Sequence, residues 1–235
     1  MNLSDKYKVI MIDYKEIKPW LIKKHYAKRI PSVNHSFGLY DKETDLIEGV
    51  CTYGIPASDN LMKLCGTEHK KQVLELNMLI KSDNLEPNTS SWFVSQTFKL
   101  LSKPTIIVSY ADPNAGHNGY TYQALNFLYT GTGGQSHEYI YEGRQLSSRH
   151  MNEGWFIKRK LAYDPNKTVV DNFIEGGGEI VKMEPKHRYV LFLGSKTDRK
   201  VLRSKLKFPA LPYPKGDNTK YDTGKELGTQ TRLFI

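Results

Sequence analysis

Between Lys103 and Pro113 the sequence reads "KPTIIVSYADP", with four consecutive β-branched residues at Thr105 to Val108. A run of that composition without polar alternation is a strand buried inside a sheet. The rest of the fold has to be built around it. Upstream, "KYKVIMIDY" reads as a first strand and "YKEIKPWLIKKHYAKR" as a helix stopped by Pro31. In that helix Trp20 and Leu21 mark an apolar stripe, set against a basic face of Lys23, Lys24 and Lys28. "HSFGLYDKETDLIEGVCTYGIP" is a hairpin turning at "DKETD", and "QVLELNMLIKS" is a further strand. "NTSSWFVSQTFKLLSK" is a helix for which Asn88 or Thr89 serves as cap. After the buried strand, "YTYQALNFLY" predicts a helix of about ten residues closed by Gly131, Gly133 and Gly134. "HEYIYEGRQL", "GWFIKRKLA" and "RYVLFLG" follow as strand-like pieces, with a glycine cluster at Gly176 to Gly178 before the last.

That order of elements is mixed α/β (α+β), and it resembles the layout of the GNAT acyltransferase fold. A mixed central sheet with helices on both faces is expected. One domain, residues 1–208, would carry the site. An extended Pro/Gly-rich arm, 209–235, would follow it.

The charge is +9, from 34 Lys and Arg against 25 Asp and Glu, and the excess is clustered. Lys23, Lys24, Lys28 and Arg29 form one group; Lys196, Arg199, Lys200 and Arg203, within "KTDRKVLRSKLK", form another. Both suit contact with nucleic-acid phosphates; the bland alternative is solvation of helix faces. No apolar run approaches the ~20 residues needed to span a bilayer, and the N-terminal stretch lacks the marks of a signal peptide. Only two cysteines, Cys51 and Cys65, are present and they have no CxxC spacing, so a reducing cytoplasm is the expected setting.

Chemistry gathers where the buried strand ends. In an open α/β sheet ligands sit outside the carboxyl ends of strands, and Asp112 is at such an end, before Pro113. It can accept a substrate N–H or act as a base; equally, Asp there can cap a turn. His117, between Gly116 and Gly119, can shuttle a proton or bind a metal, or simply bond its own loop. Tyr122 can stack on a base and Tyr129, seven residues on, falls on the same helical face, where packing is the commoner role. Asn88, Thr89, Ser90 and Ser91 open a helix whose free N–H groups can hold a phosphate or the pantetheine arm of an acyl-CoA. The glycine-bearing pyrophosphate pattern of GNAT enzymes, Gln/Arg-x-x-Gly-x-Gly/Ala, is missing there. "ADPNAG" also fails the Asp-Pro-Pro-aromatic pattern of amino-methyltransferases, and no P-loop, HExxH, EF-hand or GxSxG is present.

"KKHYAKRIPSVNHSFGLYD", "GVCTYGIPAS" and above all "SYADPNAGHNGYTYQALNFLYTGTG" resemble the phage Mom family of DNA adenine modification proteins. The likeness runs from about Trp20 to His150 and resumes at "RYVLFLGSKTDRKVLRSKLKFPALPYPK". It implies a GNAT-like enzyme of bacteriophage origin, acting in the cytoplasm of an infected cell. The enzyme would add a carbamoylmethyl-type group to the N6 amine of adenine in DNA, shielding that DNA from restriction nucleases. Family functional residues fall on His25, Tyr26, Asp112 and Tyr122. Acetyl-CoA or a related acyl donor, and iron, are the cofactors the family brings. His25, Asp112 and His117 would make a two-His-one-carboxylate iron site. The partner would be double-stranded DNA with its target adenine flipped out and stacked between aromatics such as Tyr26 and Tyr122. An N-acetyltransferase for a small amine or protein, and a non-enzymatic DNA-binding module, are the alternatives.

Overall fold

The computed structural model describes residues 2–23, 32–146 and 151–216. The chain builds two compact units, Met1–Thr132 with His187–Ile235, and Gly133–Lys186. In the first, α1 (Leu3–Lys6), β1 (Tyr7–Met11) and α2 (Tyr14–Lys23) lead into the hairpin of β2 (His35–Asp41) and β3 (Ile47–Gly54). Then come α3 (Asp59–Met62), β4 (Val73–Lys81), α4 (Thr89–Leu100), β5 (Thr105–Ala111), α5 (Tyr120–Ala124) and β6 (Leu128–Thr132). The unit resumes with β10 (His187–Leu193) and α8 (Lys196–Ser204).

Seven strands form one sheet in the order β1-β2-β3-β4-β5-β10-β6. Every neighbouring pair is antiparallel except β4 and β5. The β-branched run is buried as expected. Ile107 packs with Phe93 and Val94 of α4, whereas its neighbours Ile106 and Val108 pack with Leu61 of α3 and Leu202 of α8. Alternation along one strand therefore feeds two cores, and helices cover both faces of the sheet. Farther along, Ile17 and Trp20 of α2 pack on Val50, Met78 and Ile80. Each such side chain contributes about 1.5–3 kcal/mol on burial.

The parallel pairing of β4 and β5 ends at Leu76↔Ser109. At the same point β4 carries an extra residue relative to β3: Tyr53 pairs with Leu76 and Thr52 with Met78, so Asn77 is a bulge. Ser109 Oγ donates to the Leu76 carbonyl at 2.8 Å, closing the last rung from a side chain. No rung joins the two strands beyond it.

The expected ten-residue helix after β5 is corrected. Helix α5 stops after five residues, Asn126 takes a left-handed conformation (φ 59°), and Leu128–Thr132 is strand β6. Tyr129 thus belongs to the sheet, opposite Tyr189. After α8 the chain lies along β6: Leu211 N donates to Tyr129 O at 2.8 Å, and the Tyr213 hydroxyl to Phe127 O at 2.8 Å.

The second unit contains β7 (Ser136–Tyr141), β8 (Arg144–Leu146), α6 (Glu153–Lys158), α7 (Val169–Glu175) and β9 (Glu179–Met183). Its sheet runs β8-β7-β9, and its core joins Met151, Trp155, Phe156 and Phe173. "GWFIKRKLA", expected to be extended, is helical at its start because the Asn152 side chain accepts from Trp155 N at 3.1 Å. The unit carries eight basic and eight acidic residues, so the whole +9 resides in the other unit. Among the described residues no helix is long and apolar enough to cross a membrane.

Candidate active site

β5 delivers Asp112 to the end of the sheet, where it starts the turn Pro113–Ala115. One carboxylate oxygen, Oδ1, accepts from Asn114 N at 3.1 Å and from Asn114 Nδ2 at 2.9 Å. The capping role anticipated for an Asp here is thus real, and it fixes how the carboxylate is held. The Asp112 carbonyl accepts from Ala115 N at 3.1 Å and His117 N at 3.0 Å, folding the loop back on itself through left-handed Gly116. His117 is brought beside Asp112 in this way. Burial pulls its imidazole pKa below the ordinary value, and the Asp112 charge pushes it back up by less. At neutral pH the ring is uncharged and able to accept a proton.

The loop ends at Gly119, whose φ of 82° suits glycine. A Cβ at that position would run into the Tyr189 ring. The Tyr189 hydroxyl donates to Asn118 O and accepts from Gln123 Nε2 at 3.1 Å, tying the loop and α5 to β10. Burial pushes that phenol up to about 12. Tyr122 lies next to this junction, its ring 5.4 Å from Phe127 and 5.4 Å from Tyr189. It is therefore a half-buried ring held by aromatic neighbours. Tyr129 reaches His187 Nδ1 through its hydroxyl at 3.1 Å, and His187 sits opposite Ala111 in the ladder, one residue before Asp112.

Sequence reasoning did not single out Tyr189, Gln123, Asn118 or His187. For Tyr189 there was a weak signal, an aromatic in the run "RYVLFLG". The others became visible only when β10 came to lie beside β5. His25 and Tyr26, with Lys24, Lys28 and Arg29, lie outside the described residues, as does the side chain of Lys23. The His25 member of the expected iron site is among them. Among the described residues no group of three His, Cys, Asp or Glu side chains could hold a metal ion.

At the start of α4, Asn88 does not cap with its side chain. It adopts φ 65° instead, and its carbonyl accepts from Trp92 N at 2.9 Å and Ser91 Oγ at 3.0 Å. Thr89 is buried and its hydroxyl donates to Glu86 O at 2.6 Å. Glu86 pairs with Lys6 at 2.6 Å and accepts from Tyr7, contacts that lower its carboxyl to about 2. A fixed negative charge thus stands immediately before this helix.

The second basic cluster is helix α8, started by a capping box between Ser195 and Asp198. Leu202 is buried against the sheet, and Lys196, Arg199, Lys200 and Arg203 are exposed.

The model of the Mom protein family matches residues 6–215. No curated protein sequence matches the chain. Similar solved structures include a protein described as an acetyltransferase from Acinetobacter baylyi ADP1, 10% identical, with a TM-score of 0.46 over 81% of this chain and 94% of that one. Another is a Salmonella typhimurium protein described as an acetyltransferase and solved with acetyl-CoA. It is 9% identical, with a TM-score of 0.43 over 80% and 95%. The ribosomal-protein-S5-alanine acetyltransferase of Vibrio fischeri is 10% identical, with a TM-score of 0.42 over 80% and 93%.

Proposed function

Starting from the fact that this chain belongs to the Mom protein family, we propose that it is a phage DNA modification transferase that adds a carbamoylmethyl-type group to adenine N6. Its product would shield the phage genome from restriction nucleases. The observation that carries the reading is a family match that spans the whole Asp112–Thr132 block, a block that starts where central strand β5 ends.

The chemistry suits the residues. Adenine N6 is a weak nucleophile because its lone pair is drawn into the ring. A positioned acceptor for one N–H raises its reactivity, and such help is worth roughly 10²–10⁴ in rate. Asp112 is the acceptor in this reading: its Oδ1 is anchored by Asn114, so the carboxylate has a set orientation. His117, neutral through burial, takes up the released proton. Tyr122 orients the base from a ring fixed by Phe127 and Tyr189. His25 and Tyr26 join the site on the strength of the resemblance alone. The target adenine must leave the duplex, at a cost of a few kcal/mol. Exposed Lys196, Arg199, Lys200 and Arg203 would hold the DNA backbone while it does.

An acyl-CoA fits the chain in one part and not in another. Past the Asn77 bulge, β4 and β5 share no rungs, and an extended pantetheine arm can pair with strand groups in such an opening. Ionised Glu86 opposes a pyrophosphate at Asn88–Ser91. When bound, an acyl-CoA would supply a thioester carbonyl carbon and release coenzyme A as the thiol, which leaves an amide on N6. A carbamoylmethyl group, joined through its methylene, calls for a donor whose methylene carries the leaving group.

Nucleoside mass spectrometry on DNA from expressing cells tests the proposal. We expect a mass gain on deoxyadenosine that disappears with Asp112→Ala. Unmodified deoxyadenosine in the wild type would end the DNA reading, and an undiminished adduct in Asp112→Ala would remove that residue from the chemistry.

A further inference from the structure

A groove of about 310 Å³ lies between α4 and β1, well away from Asp112. Sheet order puts β1 four strand spacings from β5, about 19 Å at ~4.8 Å per spacing. One wall is a stripe of α4 residues at helical spacing, Trp92, Gln96 and Leu100. Val9 of β1 lines the other side. The rim is basic. Lys42 Nζ donates to the Ser4 carbonyl at 2.8 Å and Lys99 Nζ to Gln96 Oε1 at 2.7 Å. Both acceptors are neutral, so these bonds orient the two ammonium groups without cancelling their charge. Lys8, also at the groove, is already paired with Asp45 at 2.6 Å.

An apolar slot with an indole wall and, at its mouth, two cations that pair with no carboxylate among the described residues is complementary to a flat ring carrying an anion. Its volume is at the small end of the ~300–1,000 Å³ of ligand pockets, room for one unit rather than several. The unit holding it carries the entire net charge of the chain. Base stacking on an aromatic beside a basic track is how single strands are held without sequence preference. We propose that this groove is a second nucleic-acid subsite: it takes one nucleotide of a single strand, the base on Trp92 and the phosphate between Lys42 and Lys99.

Tryptophan fluorescence reads the site directly, because Trp20 and Trp155 are buried at 5% and 8% exposure while Trp92 is half-buried. The full-length protein is titrated with a short oligothymidylate, and separately with thymidine monophosphate. Neither contains adenine and no donor is added, so the outcome is independent of the adenine chemistry. We expect quenching by the oligomer that weakens with salt, and much weaker binding of the monophosphate, which lacks the flanking phosphates that the charge of this unit attracts. Trp92→Leu should abolish the quench and weaken binding, measured by anisotropy of labelled oligomer, by about 5- to 150-fold. Because Trp92 also packs on the core, the exposed pair Lys42→Glu/Lys99→Glu supplies a variant that leaves packing alone; it should weaken binding at least about tenfold at low salt. Binding unaffected by the lysine pair, or a quench that survives in Trp92→Leu, overturns the proposal. So does equal affinity for the monophosphate and the oligomer, which would make the groove a site for a free nucleotide.

Discussion

Gly116 and Gly119 bracket His117, and substituting each with alanine separates backbone strain from collision. Both have positive φ, 77° and 82°. A left-handed alanine costs about 1–2 kcal/mol, and the stiffer unfolded chain returns about 0.4–1 kcal/mol of that. Gly116→Ala meets no atom within 4 Å, so its net cost is about 0.5–1 kcal/mol. Gly119→Ala adds a methyl pressed into the Tyr189 ring, and overpacking of that kind costs a further ~1–3 kcal/mol. At ~2–4 °C per kcal/mol for a chain of 235 residues, the melting temperature should drop by about 1–4 °C in the first variant and about 3–16 °C in the second. Differential scanning fluorimetry of the two proteins side by side is sufficient. Equal shifts would show that Tyr189 does not lie beneath the start of α5, and the account of how Tyr122 is held would fall with it.

Thr97→Val should destabilise by about 1–3 kcal/mol in denaturant melts, because it leaves the fully buried Tyr53 hydroxyl without its 2.5 Å partner; a change near zero would contradict that pairing. Glu86 has a folded pKa of about 2, below its ordinary 4.5, so its contribution is full above about pH 4.5 and is lost as pH falls towards 2. Glu86→Gln should therefore flatten the acid limb of stability in that window, and an unchanged limb would count against the Lys6–Glu86–Tyr7 cluster. Adduct formation should fall on acidification below the ordinary histidine range, as His117 takes a proton whose binding burial resists; His117→Gln should lose that limb together with most of the rate.

The strands were legible where composition and burial agree. Thr105 to Val108 has no soluble alternative to a covered strand, and "DKETD" between two β-rich runs turns where Asp45 accepts a positive φ. The failures share one cause, local aromatic pattern overruled by packing. Tyr122 and Tyr129 are spaced for one helical face, yet Asn126 breaks the helix and Tyr129 joins β6 against Tyr189. Trp155 and Phe156 look extended, but the Asn152 cap and a shared aromatic core make them helical. Asp112 was readable because a strand end exposes its next residue, whatever the tertiary context. Tyr189 and His187 were not, since their role depends on β10 returning beside β5 across the whole intervening unit.

The way that unit is spliced in has an evolutionary consequence. Thr132 and His187 are rungs of one ladder, and Gly133 N reaches Lys186 O at 2.8 Å just beyond them. The guest therefore leaves and rejoins the host sheet through two hydrogen-bonded stretches of chain, a gap that a tight turn could close just as well. Loop-closure entropy grows only with the logarithm of length, so a cassette at this gap can be enlarged, swapped or deleted at little thermodynamic penalty to the strands that present Asp112.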